Sequence, residues 1–192
     1  MSLIKNIVLR WRRTRTKARR GLAAIEFALT LPIWITLLLG VSDGVYCMLV
    51  NEKADRIAFT VTDIVTQYQT VTLANLNDIV QAAGQLMQPF PFGANGTVIV
   101  TSVYKPAGQN PTICWQYTGG GTLSQASKIG SKGGAPNLPN GLTLNDNDNV
   151  IVTEVYYRFT PMFLSAGMFS ANTVYRLSVY KPRLSQLTVA PT

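Results

Sequence analysis

A glycine and a glutamate, Gly21 and Glu26, are the residues of this sequence whose types and spacing could support chemistry. Gly21 ends a stretch rich in arginine, and Glu26 lies near the start of a long uncharged stretch. A cut after Gly21 would make Leu22 the first residue and give it an α-ammonium group. The carboxylate of Glu26 would then have a cation near it, on its own chain or on a neighbouring one. Because an unpaired carboxylate is costly to bury in hydrocarbon, this spacing predicts a processed, charge-paired N-terminus.

Residues 1–21 form a basic leader. They contain eight of the 17 lysines and arginines of the chain and no acidic residue. The rest of the chain therefore has nine basic and nine acidic residues, so the net charge of +8 belongs to the leader. Basic residues directly before an apolar segment favour the cytoplasmic side of a membrane. Since no basic patch follows the leader, we expect no nucleic-acid partner.

An apolar segment follows, from Leu22 to Ser42, and Glu26 is its only charged residue. As a helix of 21 residues it would be about 31 Å long, enough to cross a bilayer core. Apolar residues continue to Val50, so we assign a transmembrane or assembly helix to residues 22–50. Pro32 is expected to break or bend this helix, because proline has no N–H to donate. No small-residue cleavage site follows the segment, which argues against a secretory signal peptide.

The composition excludes several kinds of active site. The chain has no histidine and only two cysteines, which excludes zinc sites built from Cys and His and catalysis by an imidazole base. The sequence Asp146-Asn147-Asp148 begins like a calcium-binding loop but lacks the glycine and the glutamate that complete one. We therefore expect no catalytic residue, no metal, no cofactor and no enzymatic activity.

Cys47 and Cys114 are the candidates for a disulfide. Beyond the membrane segment both would face an oxidising compartment, where disulfides persist. The sequence does not give the distance between their Cα atoms, which must be below about 7 Å for a bond. A disulfide and two buried free thiols are therefore both open at this point.

Residues 51–192 predict a periplasmic or extracellular α+β domain. Apolar residues at spacings of three and four continue the first helix, and a second helix is predicted at 73–87 with Thr72 as its N-cap. Runs of β-branched and aromatic residues predict four strands: 97–104, 112–117, 150–159 and 172–180. The glycine-rich stretch 119–149 predicts an exposed, flexible loop. The fold class is α+β, a long N-terminal helix followed by a small antiparallel β-sheet.

The N-terminal residues resemble a known family. The stretch Arg20-Gly21-Leu22-Ala23-Ala24-Ile25-Glu26-Phe27-Ala28-Leu29, followed by Leu31-Pro32, is similar to the N-terminus of TadE-like minor pilins (pseudopilins) of tight-adherence, or Flp-type, type IV pili. Members of that family begin with Arg-Gly, small residues and Glu-Phe-Ala, and have Leu-Pro inside the membrane helix. The strong match covers about residues 19–50. Further on, Val152–Pro161 resembles the family's C-terminal strand, which ends in Phe-Thr-Pro.

The resemblance implies roles for four residues. A prepilin peptidase would cut between Gly21 and Leu22 on the cytoplasmic side of the membrane. Glu26 would neutralise the Leu22 ammonium across a subunit contact and set the axial register. Pro32 would bend or locally unwind the helix as the subunit leaves the lipid. Leu22 stands where the major type IV pilins commonly have Phe or Met.

The resemblance also implies partners and a location. The partners would be the prepilin peptidase, other major and minor pilins, the inner-membrane assembly platform of the pilus and the lipid bilayer. The subunit would cross the bacterial inner membrane once, with its N-terminus cytoplasmic, and its domain would be periplasmic or part of a surface pilus used for attachment. The alternative is an uncleaved, single-pass, membrane-anchored periplasmic structural protein.

Overall fold

The computed structural model describes residues 2–163 and 171–192, with side chains from Leu22 onward. The chain divides into two compact units, residues 1–44 and residues 45–192. Its elements are the helices α1 (Ser2–Val65), α2 (Leu73–Gln85) and α3 (Phe92–Asn95), the strands β1 (Gly96–Tyr104), β2 (Thr112–Gly119), β3 (Asn149–Phe159) and β4 (Asn172–Tyr180), and a 3-10 turn at Pro139–Gly141. The fold is α+β, a long N-terminal apolar helix followed by a small antiparallel sheet, and this confirms the predicted class.

The sheet has four strands in the order β2-β1-β3-β4. Each neighbouring pair is antiparallel. All four predicted strands form: β4 has the predicted ends, and β3 begins one residue earlier than predicted. The agreement follows from the runs of β-branched and aromatic residues, which suit a pleated, covered surface.

One face of the sheet packs against α1 and α2. From α1, apolar side chains at spacings of three and four are fully buried, and α2 contributes a similar stripe. These side chains are Val50, Ala54, Ile57, Val61 and Val65 of α1 and Leu76, Ile79, Val80 and Ala83 of α2. Thr72 caps α2 as predicted, its hydroxyl accepting from the backbone N–H of Asn75. The helix ends at Gln85, two residues before its predicted end.

Within the unit 45–192, α1 runs along β4 in the same direction. The guanidinium of Arg176, in the middle of β4, bonds Asp55 at 3.1 Å. At the end of β4, the ring of Tyr180 meets Phe59 edge to face at 5.2 Å. The earlier residue Tyr46 must therefore lie toward the end of the sheet where β4 begins. This direction decides which end of the domain is reached first along the chain.

The stretch 119–149 is a mostly exposed loop that also buries a few side chains against the sheet. Three of its apolar side chains, Leu123, Ile129 and Leu144, are buried on the face of the sheet opposite the helices. The backbone of Ile113 in β2 also exchanges hydrogen bonds with the loop, donating to Gly134 at 3.0 Å. The sequence did not predict the burial of these three side chains, because isolated apolar residues among glycines give no periodic signal. As a result β3 is covered on both faces.

Candidate functional site in the N-terminal helix

The segment Leu22–Ser42 lies on α1 and turns apolar side chains outward along its length. Phe27, Leu29, Ile33 and Trp34 are each more than 60 % exposed. Among the described residues, α1 alone is long and apolar enough to cross a membrane, with a mean hydropathy of 2.1 over its best window and none of that window buried. An exposed apolar surface of this extent is unusual for a protein in water. It marks a segment whose side chains must be covered by lipid or by other chains.

The neutral polar side chains of this segment are satisfied within the helix. The Thr30 hydroxyl donates to the Glu26 carbonyl at 3.1 Å, and the Thr36 hydroxyl donates to the Pro32 carbonyl at 2.9 Å. Ser42 bonds the Leu38 carbonyl at 2.9 Å in the same way. Hydroxyls paired like this add little cost in an apolar medium, because their donor is used. The carboxylate of Glu26 is therefore the polar group of the segment that still requires a partner.

Glu26 lies one helical turn after Leu22. A spacing of four residues corresponds to about 6 Å along the axis and places both residues on one side of the helix. Among the described side chains, the Glu26 carboxylate is exposed and forms no ion pair. A Leu22 α-ammonium, once created, would be within one turn of this carboxylate. The geometry thus suits charge neutralisation either along the chain or between neighbouring chains.

The Gly21–Leu22 bond lies inside continuous α-helix in the structure. Proteases bind an extended backbone, so a cut here requires the helix to open locally. Glycine lowers the cost of that opening, because it is less favourable in a helix interior than alanine by about 1 kcal/mol. A residue without a side chain also admits a protease close to the backbone.

Pro32 does not break α1. The helix continues without interruption on both sides of it, from Ser2 to Val65, and the bending or unwinding expected as the subunit leaves the lipid stays a prediction. The loss is limited to the bond that would join a residue-32 N–H to the Ala28 carbonyl, while the neighbouring turns are intact. The Thr36 hydroxyl bond to the Pro32 carbonyl adds a link across the following turn.

Both cysteines are free thiols in the structure. Cys47 on α1 and Cys114 on β2 are half-buried and pack against the same apolar core between helices and sheet. Burial raises the pKa of the Cys114 thiol above its usual range, partly offset by a backbone hydrogen bond involving Tyr104. A raised pKa leaves less thiolate, the reactive form, at neutral pH. Of the two alternatives left open by the sequence, the structure has the free thiols and not the disulfide.

We expect alkylation without a reductant to label both Cys47 and Cys114 once the protein is unfolded. In the folded protein, labelling of Cys114 should be slow, since burial restricts access and its raised pKa keeps it protonated. Intact-mass measurement after each treatment gives the number of labels. An unfolded, unreduced protein that takes up no label would show that the two thiols are joined.

A second polar group lies on the sheet face under the loop 119–149, and the sequence did not single it out. Glu154 of β3 is fully buried. One carboxylate oxygen accepts from the backbone N–H of Lys128 at 2.9 Å and from the hydroxyls of Tyr156 and Tyr175 at 3.0 and 3.1 Å. The other oxygen accepts from the Ser127 hydroxyl. A buried carboxylate that accepts four bonds is fully satisfied in its ionised form.

The surroundings of Glu154 are arranged for a negative charge. The Lys128 ammonium lies 3.9 Å from the centre of the Tyr175 ring and supplies a nearby cation. Burial raises the pKa of both Tyr156 and Tyr175 well above the usual value, and the Glu154 carboxylate raises it further. Both phenols therefore stay protonated and remain donors. Because Ser127 and Lys128 belong to the loop, this cluster fastens the loop to the sheet.

Both carboxylates of the turn Asp146-Asn147-Asp148 are paired with lysines of the same domain. Lys105 pairs with Asp146 at 2.8 Å, and Lys181 pairs with Asp148 at 2.8 Å. The hydrogen bond from each lysine is the largest cause that lowers the pKa of its aspartate. In the part of the chain that the structure describes, no group of three or more carboxylate, thiol or imidazole side chains could hold a metal ion.

The residues predicted from the sequence fall into two groups. Gly21, Leu22, Glu26 and Pro32 lie on one continuous helix in the unit 1–44, whereas Cys47 and Cys114 belong to the unit 45–192. Comparisons of the chain with models of protein families, with curated proteins and with solved structures gave no match.

Proposed function

We propose that this chain is a minor pilin, or pseudopilin, of a tight-adherence type IV pilus. A prepilin peptidase removes residues 1–21, and the mature subunit, anchored through the apolar segment of α1, assembles with other pilins at the inner membrane. The observation that carries the proposal is the isolated Glu26. It is the only ionisable group of an exposed, helical, 21-residue apolar segment, and it lies one turn from the bond whose cleavage would create its counter-charge.

The orientation follows from the charges. All eight basic residues of the leader precede the apolar segment, and the rest of the chain is balanced. An excess of lysine and arginine next to a membrane helix keeps that side cytoplasmic. The unit 45–192 is then periplasmic, or exposed on the cell surface once the subunit enters a fibre.

The proposed site needs no cofactor, because its function is to be recognised by other proteins. The peptidase binds the Gly21–Leu22 bond, and neighbouring pilins bind the apolar surface of α1. In that surface the ammonium of one subunit pairs with the Glu26 carboxylate of another. Helices with apolar surfaces could pack at many axial offsets, and the requirement to pair both charges selects one of them. An ion pair of this kind specifies register, which is the best supported use of buried charges.

The second candidate is an uncleaved anchor. The continuous helix through Gly21 and Leu22 favours it, since an intact α1 needs no processing to hold the domain at a membrane. In that case Glu26 has no ammonium at residue 22 to pair with. The two candidates therefore differ in the N-terminus of the protein isolated from cells.

We expect protein purified from its native host to begin at Leu22. Removal of residues 1–21 also removes the eight basic residues of the leader, leaving nine basic and nine acidic side chains. Intact-mass measurement and N-terminal sequencing give the result directly. Gly21→Val should block the cut, because a branched side chain keeps the protease from the backbone, whereas Gly40→Val in the same helix should not. A wild-type protein that retains its leader would establish the uncleaved anchor.

A further inference from the structure

A small apolar pocket opens at one end of the unit 45–192. It has a volume of about 210 Å³, and its walls come from α1, from the connection between α2 and α3, and from the end of β3. The apolar and aromatic wall residues are Tyr46, Phe90, Pro91, Tyr157, Phe159 and Met162. The rings of Tyr46 and Phe90 pack edge to face, with their centres 6.1 Å apart, and form one wall of the pocket. The pocket is therefore a formed concavity of aromatic character.

Large apolar side chains and a cation are exposed at this pocket and directly after it along the chain. Met162, which lines the pocket, is 65 % exposed, and the next residue, Phe163, is 46 % exposed. Arg158, the one exposed residue of β3, also lines the pocket. By contrast, Arg176 and Arg183 bond the carboxylates of Asp55 and Asp63. An exposed methionine and a guanidinium thus lie together in the wall of the pocket.

The pocket end of the domain is the end that the chain enters first. Tyr46 follows Ser42 by four residues, which separate two Cα atoms by at most about 14 Å even when fully extended. From Tyr46, α1 leads away along β4 and reaches the far end of that strand near Tyr180. The turn between β1 and β2, which includes Gln109, lies at the far end of the sheet as well. Of the two ends, the pocket end is the one reached from the apolar segment.

We propose that this end of the domain is a lipid-contacting surface. Met162 and Phe163 enter the interfacial layer of the membrane, the pocket takes part of one acyl chain of a phospholipid, and Arg158 binds the phosphate of an anionic headgroup. The inference rests on the membrane anchoring proposed above. Aromatic side chains concentrate at the membrane interface, and arginine keeps its charge at the headgroups while its stem lies against apolar atoms. A guanidinium also matches the geometry of a phosphate.

The test places a photo-crosslinking residue, benzoylphenylalanine, at single positions of the full-length chain. The protein is reconstituted in vesicles of phosphatidylethanolamine and phosphatidylglycerol and irradiated, and adducts are identified by mass. We expect phospholipid adducts from position 162. A probe at Gln109, at the opposite end of the sheet, should give none. A probe at Leu38 reports whether the apolar segment itself is in the bilayer and should give lipid adducts.

The outcomes separate the two proposals. Lipid adducts at Leu38 but none at position 162 would overturn the lipid-contacting surface and leave the anchoring in place. Adducts between position 162 and a second protein chain, without lipid, would assign the pocket to a protein partner and overturn the inference equally. No lipid adduct at Leu38 would refute the anchoring, and the lipid-contacting surface would fall with it.

The role of Arg158 is tested separately with Arg158→Gln. In vesicles that contain both lipids, adducts at position 162 should be enriched in anionic phosphatidylglycerol, and the substitution should abolish that enrichment while lipid adducts persist. Arg56→Gln, which removes an exposed arginine further along α1, is the matched control and should keep the enrichment. An unchanged lipid ratio in Arg158→Gln would show that this guanidinium does not bind an anionic headgroup.

Discussion

Glu26→Ala is expected to abolish incorporation of the subunit into the pilus while leaving its processing and membrane insertion intact. The substitution makes the apolar segment more apolar and replaces Glu with the best helix former, so insertion should be unharmed. The Glu26 carboxylate makes no ion pair with a described residue, and the fold of the unit 45–192 should be unchanged. What fails is the subunit contact, because the ammonium of Leu22 then enters it without a counter-charge. Breaking a buried ion pair costs about 3–5 kcal/mol, enough to prevent a contact of this kind.

The measurement is surface piliation and co-purification with the assembly machinery in a strain that carries only the mutant copy. Intact mass confirms that the leader has been removed, and resistance to carbonate extraction confirms insertion. Glu26→Gln keeps the shape of the side chain and removes the charge, so it should fail almost as severely. Glu52→Ala removes an exposed carboxylate of α1 beyond the apolar segment and should assemble normally. Normal piliation by a processed, inserted Glu26→Ala protein would refute the charge-pair mechanism.

Local patterns in the sequence were sufficient to predict the two long helices and the four strands of the fold. The run of β-branched residues from Thr97 to Tyr104 predicted β1 to within one residue, and the Thr72 hydroxyl predicted the start of α2. These features act over a few neighbouring residues, so a single sequence contains them in full. The same holds for the apolar segment, whose length and lack of charge are local properties.

Contacts between distant parts of the chain were not predicted. Leu123, Ile129 and Leu144 are isolated apolar residues in a glycine-rich stretch, and only the sheet beneath them shows that they are buried. A signal was nevertheless present for Glu154, an acidic residue in the middle of an apolar and aromatic strand. A carboxylate there requires several donors, and the loop 119–149 supplies two of them. The partner proposed for Glu26 is neither a local pattern nor a contact within the folded chain, because the Leu22 ammonium exists only after cleavage.

Glu154→Ala is expected to destabilise the domain and release the loop 119–149 from the sheet. Removing the carboxylate leaves a buried backbone N–H and two hydroxyls without their acceptor. The third hydroxyl, that of Tyr156, keeps the Ala126 carbonyl as its acceptor. Each unsatisfied buried donor costs about 1–3 kcal/mol, although hydroxyls relieve part of this by rotating. Summed over the three donors, the loss in the free energy of unfolding should be about 3–5 kcal/mol. In a domain of this size that lowers Tm on the order of 10 °C.

Two readouts distinguish release of the loop from a general loss of stability. Trypsin cleavage after Lys128, in the native protein at a temperature well below Tm, reports whether the loop has left the sheet. Glu154→Gln retains one acceptor oxygen but turns an NH₂ group toward the donors, so its loss of stability should be smaller than that of alanine. Tyr175→Phe removes a single donor and should cost about 1 kcal/mol. Glu52→Ala, on the exposed side of α1, serves as the surface control and should change neither readout. If Glu154→Ala melts at the wild-type temperature with Lys128 still protected, the loop is held by its three apolar side chains alone, and the buried carboxylate is not its anchor.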